Sequence, residues 1–536
     1  MKSLVGRLPI ITITILIVIS GLLSYISVAK ALPFDDISKS YAKKEIINLY
    51  NKNILTGTSE TSFSPARSVT RAEFITILSR LLALEPVMSP VTPYTDVKQN
   101  TWYYGFVQAA VQLELAKGKS ATTFAPGKSV TRQEAAVWMA RALKQTGNNP
   151  IASTVFKDGE QIADWASASV AAVHKLGLIK GDNNGHFRPT APISRQETAV
   201  LIDRVLQNSK WAAELAAKPN KRIVLGWQYG QTTEQYGNSI LQSNVNTLSP
   251  RWYFMDKTGL VTDNTDTKLV TWAKKNNKQI WAMVGNRFDQ EATHEMLSSA
   301  AARNKLVNQL AEIAKKYGLQ GLNIDFENVA SKDRQSFTTF ITLLADKLHA
   351  QGTVLSIDVS PDLGTDWTEA FDYAALGKQA DYMVMMGYDE HYGALSGAGS
   401  NASLPYVTNA VNKLLKVVPS NKVILALPFY NRDWTLKQDG SVASMDFISL
   451  TKQNEILSAY SLKPVWNESL GQYVADYTKQ STKHTIWFED GRSLIAKYHF
   501  TVNKKLAGVA YWYVGGESKD IWPSLRNAEK YYDYSF

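Results

Sequence analysis

The sequence predicts a multidomain chain: an all-α module built from three repeats, then an α/β barrel of eight strands and helices carrying a small α+β insertion. Three observations predict it. The 536 residues are too many for one ordinary core. Between residues 34 and 208, four landmarks recur together at offsets of 61 and 63 residues. After Lys210 the pattern changes to apolar strands alternating with helical segments, as parallel βα units require.

The chain opens with Lys2 and Arg7, an apolar run over 8–28, and Ala29-Lys30-Ala31, the layout of an export signal over 1–31. The run is also long enough for an uncleaved anchor helix. No later segment could span a bilayer, so no stable membrane span is expected after cleavage. Removing Lys2, Arg7 and Lys30 lowers the formal net charge from +10 to +7. That modest excess suits an anionic wall polymer, and no basic run with interleaved aromatics points to nucleic acid. With no cysteine, disulfides and thiolate metal sites are excluded. The aromatics crowd into the second half, where they either fill cores or stack on sugar rings.

In the repeats, Phe63-Ser-Pro65 aligns with Phe124-Ala-Pro126 and Phe187-Arg-Pro189. The same offsets carry Tyr41 to Trp102 and Trp165, and Gly57 to Gly118 and Gly181. They also carry Thr70-Arg71-Ala-Glu73 to Thr131-Arg132-Gln-Glu134 and Ser194-Arg195-Gln-Glu197. Each unit reads as a helix around the aromatic, a Gly stop, a loop with Phe-x-Pro, and a second helix. The Thr/Ser-Arg-x-Glu step is a capping box, with the hydroxyl at N-cap and Glu at N3. Capping does not explain the arginines. A guanidinium beside free backbone N–H groups is placed to hold an anion, so Arg71, Arg132 and Arg195 are expected to bind one.

These residues strongly resemble S-layer homology domains, with repeats over 32–90, 91–152 and 153–214. The resemblance implies a pseudo-three-fold helical module that binds pyruvylated secondary cell-wall polysaccharide through the Arg-bearing motifs. Gln in place of Ala in the second and third copies, and Ser for Thr in the third, preserve the capping chemistry.

In the second half, strands are expected at 222–229, 246–254, 279–285, 320–327, 354–360, 381–388, 422–428 and 506–513. Eight strands with helices between them match a (β/α)8 barrel over 221–536, with an insertion at about 435–500. The helix at 302–317 ends in Lys315-Lys316-Tyr-Gly318, a stop signal. Barrel enzymes carry their chemistry at the C-terminal ends of strands, and strand 320–327 ends in acid. Alternation puts Asn323, Asp325 and Glu327 on one face and Leu322, Ile324 and Phe326 on the other. The apolar face meets the helices, so the polar face lines the interior with Glu327 nearest the mouth. Close carboxylates push one pKa upward, which keeps Glu327 protonated as a general acid must be. Two carboxylates and an amide could also ligate magnesium or calcium, but the strand supplies too few further oxygens. Neither a metal nor a cofactor is expected.

Gly321-Leu-Asn-Ile-Asp-Phe-Glu327 resembles the fourth-strand signature of glycoside hydrolase family 18, Asp-x-x-Asp-x-Asp-x-Glu, with Gln320 and Asn323 in place of the first two aspartates. Met386-Gly-Tyr388-Asp389, Leu427-Pro-Phe-Tyr430 with Trp434, and Gly508-Val-Ala-Tyr-Trp512 resemble other strand ends of that family. The branch most like this chain is that of bacterial spore-cortex N-acetylglucosaminidases. The resemblance implies substrate-assisted hydrolysis with retention, on peptidoglycan or chitin. Glu327 would protonate the glycosidic oxygen, Asp325 would orient the 2-acetamido group, and Tyr388 would donate to its oxygen. Asn323, Met386, Asp389, Trp512, Tyr430 and Trp434 would surround the substrate, with Trp512 beneath the sugar. Asn323 carries no charge, so Asp325 lacks the partner that would share its proton. The chain is thus expected to be secreted and held on the wall or S-layer of a Gram-positive bacterium. The alternative is a non-hydrolytic chitin- or peptidoglycan-binding surface-layer protein with a degenerate barrel.

Overall fold

A computed structural model of the chain describes residues 32–146, 155–362, 364 and 366–536. The expected signal over 1–31 lies outside the described residues. Among those described, no helix is long and apolar enough to cross a membrane. The chain divides into two compact units, one running through Arg67 together with Ser194–Asp203, the other joining Ser68–Ile193 to Arg204–Phe536.

The first unit holds the helix Lys43–Asn51 and the start of the helix Arg195–Gln207. Its loop is organised by Asp36, whose carboxylate accepts the Phe63 and Ser64 amides at 2.8 and 2.7 Å. Phe34 packs on Phe63, their ring centroids 5.6 Å apart. A Cβ at Gly57 would stand 2.5 Å from the Phe34 ring and 2.3 Å from a backbone carbonyl, so the turn admits only glycine.

The second unit repeats this loop twice. Asp96 accepts the Phe124 and Ala125 amides, and Asp158 those of Phe187 and Arg188. Both capping boxes are formed, Thr70 with Glu73 and Thr131 with Glu134. The pseudo-symmetry closes in three backbone bonds: Val69 N donates to Ile193 O, Val130 N to Val69 O, and Ile193 N to Val130 O. One feature of this loop escaped the four sequence landmarks. The aspartates lie in Phe34-Asp-Asp36, Tyr94-Thr-Asp96 and Phe156-Lys-Asp158, at offsets of 60 and 62 residues. Chain-length differences inside each repeat moved them off the register used.

The same unit contains the barrel. Its strands are β1 Ile223–Gln228, β2 Thr247–Met255, the short β3 Val261–Asp263, β4 Gln279–Gly285 and β5 Gly321–Asp325. They continue as β6 Val354–Val359, β7 Tyr382–Met386 and β8 Val423–Pro428. An insertion then supplies β9 Tyr430–Leu436, β10 Val442–Ser449, β11 Val465–Asn467, β12 Gln472–Lys479 and β13 Thr482–Phe488. The last strand is β14 Gly508–Trp512. Among the described residues, β1, β2, β4–β8 and β14 form a parallel ring closed by β1 pairing with both β14 and β2, while β3 pairs antiparallel to the end of β2. All eight expected strands are present. The helix Ala300–Tyr317 stops at Gly318, which takes the left-handed conformation at φ 62°.

The insertion is an antiparallel sheet in the order β10-β9-β13-β12-β11, beginning at Tyr430 rather than 435 because only Phe429 separates β8 from β9. Tyr473, Ile486 and Phe488 lie in its core with Val91 of the second repeat. The final helix, Ile521–Asp533, ties the repeats to the barrel directly. Arg526 makes a two-pronged ion pair with Glu85, Ser524 bonds Gln112, and Tyr534 just beyond it donates to Leu82 O.

Candidate active site

The inward face of β5 holds Asn323 and Asp325, and Glu327 stands two residues past the strand end at the barrel mouth. Phe326 turns the other way, its ring lying parallel to Phe340 at 5.6 Å. A cleft of about 650 Å³ opens over them, lined also by Trp227, Tyr229, Arg251, Asp358, Met386, Tyr388, Asp389, Tyr430 and Trp512.

The backbone at Glu327 is clamped from the neighbouring strand end. The Asn286 side chain accepts the Glu327 amide at 3.1 Å and donates to the Glu327 carbonyl at 2.7 Å. The clamp is braced by positive-φ residues on both loops, Arg287, Phe288 and Asn328. Such conformations cost free energy in non-glycine residues and concentrate at functional sites. Burial pushes the Glu327 carboxyl up to about 9, with the charges of Asp325 and Asp389 adding to the shift and Arg251 opposing it. Burial also lifts Asp325, to about 6, again opposed by Arg251. At neutral pH the mouth therefore presents a protonated glutamic acid beside an ionised aspartate.

Asp389 lies on the loop after β7, accepting from the Tyr430 hydroxyl and from Arg432 Nη2 at 2.5 Å. Arg432 and Asn401 are both buried and bonded to one another, so the Asp389 carboxylate is held from below. Tyr388 is buried at the cleft wall, edge-on to Tyr430. Met386 lines the same wall. Trp512 forms the floor, packed against Trp227 and Tyr229, with the Arg251 guanidinium over both Tyr229 and Trp512.

Two expectations for the cleft are corrected. Asn323 is fully buried, and its amide is spent on the protein. Oδ1 accepts from Trp227 Nε1 and Ser249, while Nδ2 donates to Ser356 and to Asp358. It lies under the cleft and cannot touch a sugar. Trp434 is likewise 0% exposed, its indole donating to Gly399 O, so it packs the wall behind the cleft.

The repeat arginines are also not open anion receptors. Arg71 is 1% exposed, Arg132 6% and Arg195 5%. Arg71 donates through Nε to Phe124 O, through Nη2 to Lys117 O and through Nη1 to Glu134. Arg132 bonds Phe187 O and Lys180 O; Arg195 bonds Phe63 O and Thr56 O. Each reaches from its helix start to the Phe-x-Pro loop of another repeat and straps that loop in place. Reading the guanidinium against its own helix missed acceptors some fifty residues or more away.

Sequence reasoning also missed Asp358, Asn286, Arg251 and Arg432. Alternation was the available signal for the first, since Ser356 and Asp358 share a parity opposite to Leu355 and Ile357. The others depend on which loops meet, which no local pattern carries.

Comparison with known proteins agrees with this architecture. The model of glycosyl hydrolases family 18 matches residues 209–517, and that of the S-layer homology domain matches 33–75, 93–136 and 155–199. An uncharacterised glycosylase of Bacillus subtilis, YvbX, is 29% identical over 319 residues, spanning 58% of this chain and 92% of that protein. A cortical fragment-lytic enzyme of the same organism is 27% identical over 242 residues, 44% of this chain and 56% of that enzyme. Among solved structures, the spore cortex-lytic enzyme SleL of Bacillus megaterium shares the fold. Its TM-score is 0.53 at 22% identity, covering 59% of this chain and 76% of that one.

Proposed function

The chain belongs to glycosyl hydrolases family 18 and is a glycoside hydrolase, and from that premise we propose that it cleaves β-linked N-acetylglucosamine polymers, peptidoglycan above all, by substrate-assisted catalysis with retention. The observation that carries this reading is Glu327, its backbone clamped by Asn286 and its buried carboxyl kept protonated to about pH 9 near an ionisable Asp325. Glu327 gives its proton to the glycosidic oxygen. The substrate's acetamido oxygen bonds the anomeric carbon as the leaving sugar departs, and Asp325 holds the acetamido N–H. Tyr388 donates to the acetamido oxygen, Trp512 lies beneath the distorted sugar, and water activated by Glu327 opens the oxazolinium ring. Met386, Asp389 and Tyr430 shape the wall of that subsite. The likeness to a cortical fragment-lytic enzyme supports peptidoglycan as the polymer.

The S-layer homology repeats associate the chain with the bacterial cell surface. Their ligand, in this reading, is secondary cell-wall polysaccharide of a Gram-positive wall, met by the loops that Arg71, Arg132 and Arg195 strap in place. Hydrolysis of peptidoglycan and of N-acetylglucosamine oligosaccharides by Glu327→Gln tests the catalytic part. Turnover is expected to fall about a thousandfold, within the range for loss of a general acid, while wall binding is retained. Unchanged turnover removes Glu327 from the mechanism, and equal cleavage of a fully deacetylated polymer removes the acetamido group.

A further inference from the structure

We propose that Asp358 on β6 is a positioning residue that shares a proton with Asp325, filling from the adjacent strand the role that the uncharged Asn323 leaves open on β5. This rests on the acetamido reading above.

The strand register brings the two carboxyls together. Asn323 pairs with Ser356 and Ile324 with Ile357, so the next step along the parallel pair sets Asp325 against Asp358 with the same inward parity. The amide at 323 is oriented without ambiguity. Trp227 Nε1 can only donate, so Oδ1 must face it, and the NH2 is left to point at Asp358 Oδ1, 2.7 Å away. Asp358 is 2% exposed yet borders the cleft. The groups facing it are Asp325 of β5, Glu327 just past that strand's end, and the Tyr388 hydroxyl just past β7. Arg251 of β2 acts on the first two. Burial, then the Asp325 charge, push the Asp358 carboxyl well above the usual carboxylate range, so of the pair it is Asp358 that keeps the proton.

The consequence lies in the bond-making step. The proton lost by Glu327 goes to the leaving oxygen, and the acetamido oxygen closes on the anomeric carbon. The Asp325–Asp358 pair retains its single proton on Asp358, which leaves Asp325 ionised against the positive oxazolinium N–H. When water adds, its proton returns to Glu327 and the pair is unchanged.

The test is steady-state hydrolysis of an N-acetylglucosamine oligosaccharide by Asp358→Asn and by the relocated pair Asn323→Asp/Asp358→Asn. The single variant is expected to lose about tenfold to a hundredfold in kcat, as for a misplaced catalytic group, with KM within about twofold. The relocated pair is expected to recover most of that loss. Asp358→Ser carries the same expectation as Asp358→Asn should the amide impair folding. Full kcat in either single variant overturns the proposal. So does a folded double variant with no recovery, which would leave Asp358 a packing role. Failure of the parent reading is separate: it appears as wild-type turnover that Glu327→Gln does not change.

Discussion

The repeats and the barrel mouth both take charged groups out of water, and they treat them in opposite ways. Arg71, Arg132 and Arg195 give their donors to backbone carbonyls, and Arg71 adds the carboxylate of Glu134 at 2.5 Å. These donors are spent on the protein itself. At the mouth, Asp325, Glu327 and Asp358 stand close together, and Arg251 is the cation that opposes the shifts of the first two. Burial without matched partners is what moves their pKa values, because removing a charge from water disfavours the charged form unless something nearby replaces the lost solvation. A motif that recurs three times and a motif that occurs once can look equally functional in a sequence. How completely the buried charge is paired separates a strap from a site.

The largest effect that sharpens this contrast is structural. Arg71→Ala leaves two loop carbonyls without donors and Glu134 with Lys119 as its remaining cation, a loss expected to cost about 2–4 kcal/mol. Thermal unfolding would show it; an unchanged midpoint would mean that the strap carries no load. Glu327→Gln is expected to act the other way on stability. Its folded value, about 9, lies above the ordinary 4.5. The proton-linked stability is full below the ordinary value and is lost as pH rises through about 9. The glutamine variant should therefore unfold at a higher temperature than the parent at pH 8, and show little difference at pH 4. The smallest effect belongs to Arg251. Activity that needs ionised Asp325 and protonated Glu327 should rise near pH 6 and fall near pH 9. Arg251 lowers both values, so Arg251→Gln should move both limbs upward, by under about one pH unit. A shift downward would mean that the guanidinium does not act on these carboxyls.

Much of the architecture was legible because it is periodic. Strand alternation placed Asn323, Asp325 and Glu327 on the inner face, and the hydroxyl-to-glutamate spacing located the helix starts at Thr70 and Thr131. Trp434 shows the limit. An aromatic on a strand has a face, but whether that face meets solvent or a neighbouring loop depends on Gly399, thirty-five residues earlier. Asn323 shows it again: its type was read as a lost charge, whereas its amide is the bond that holds Asp358. Local patterns specify direction; what lies in that direction is set by chain segments far away.

The helix Ile521–Asp533 has a further consequence. With Arg526 gripping Glu85 and Ser524 bonded to Gln112, the barrel is bolted to the helical segments of its own unit. A tethered enzyme samples a volume set by its linker, with a local substrate concentration to match. A bolted one keeps one heading relative to the segments that grip it. For a chain held on a wall polymer as proposed, the working rate would then depend on how densely strands pass one spot, and growth or turnover of the polymer, more than motion of the enzyme, would deliver the next bond.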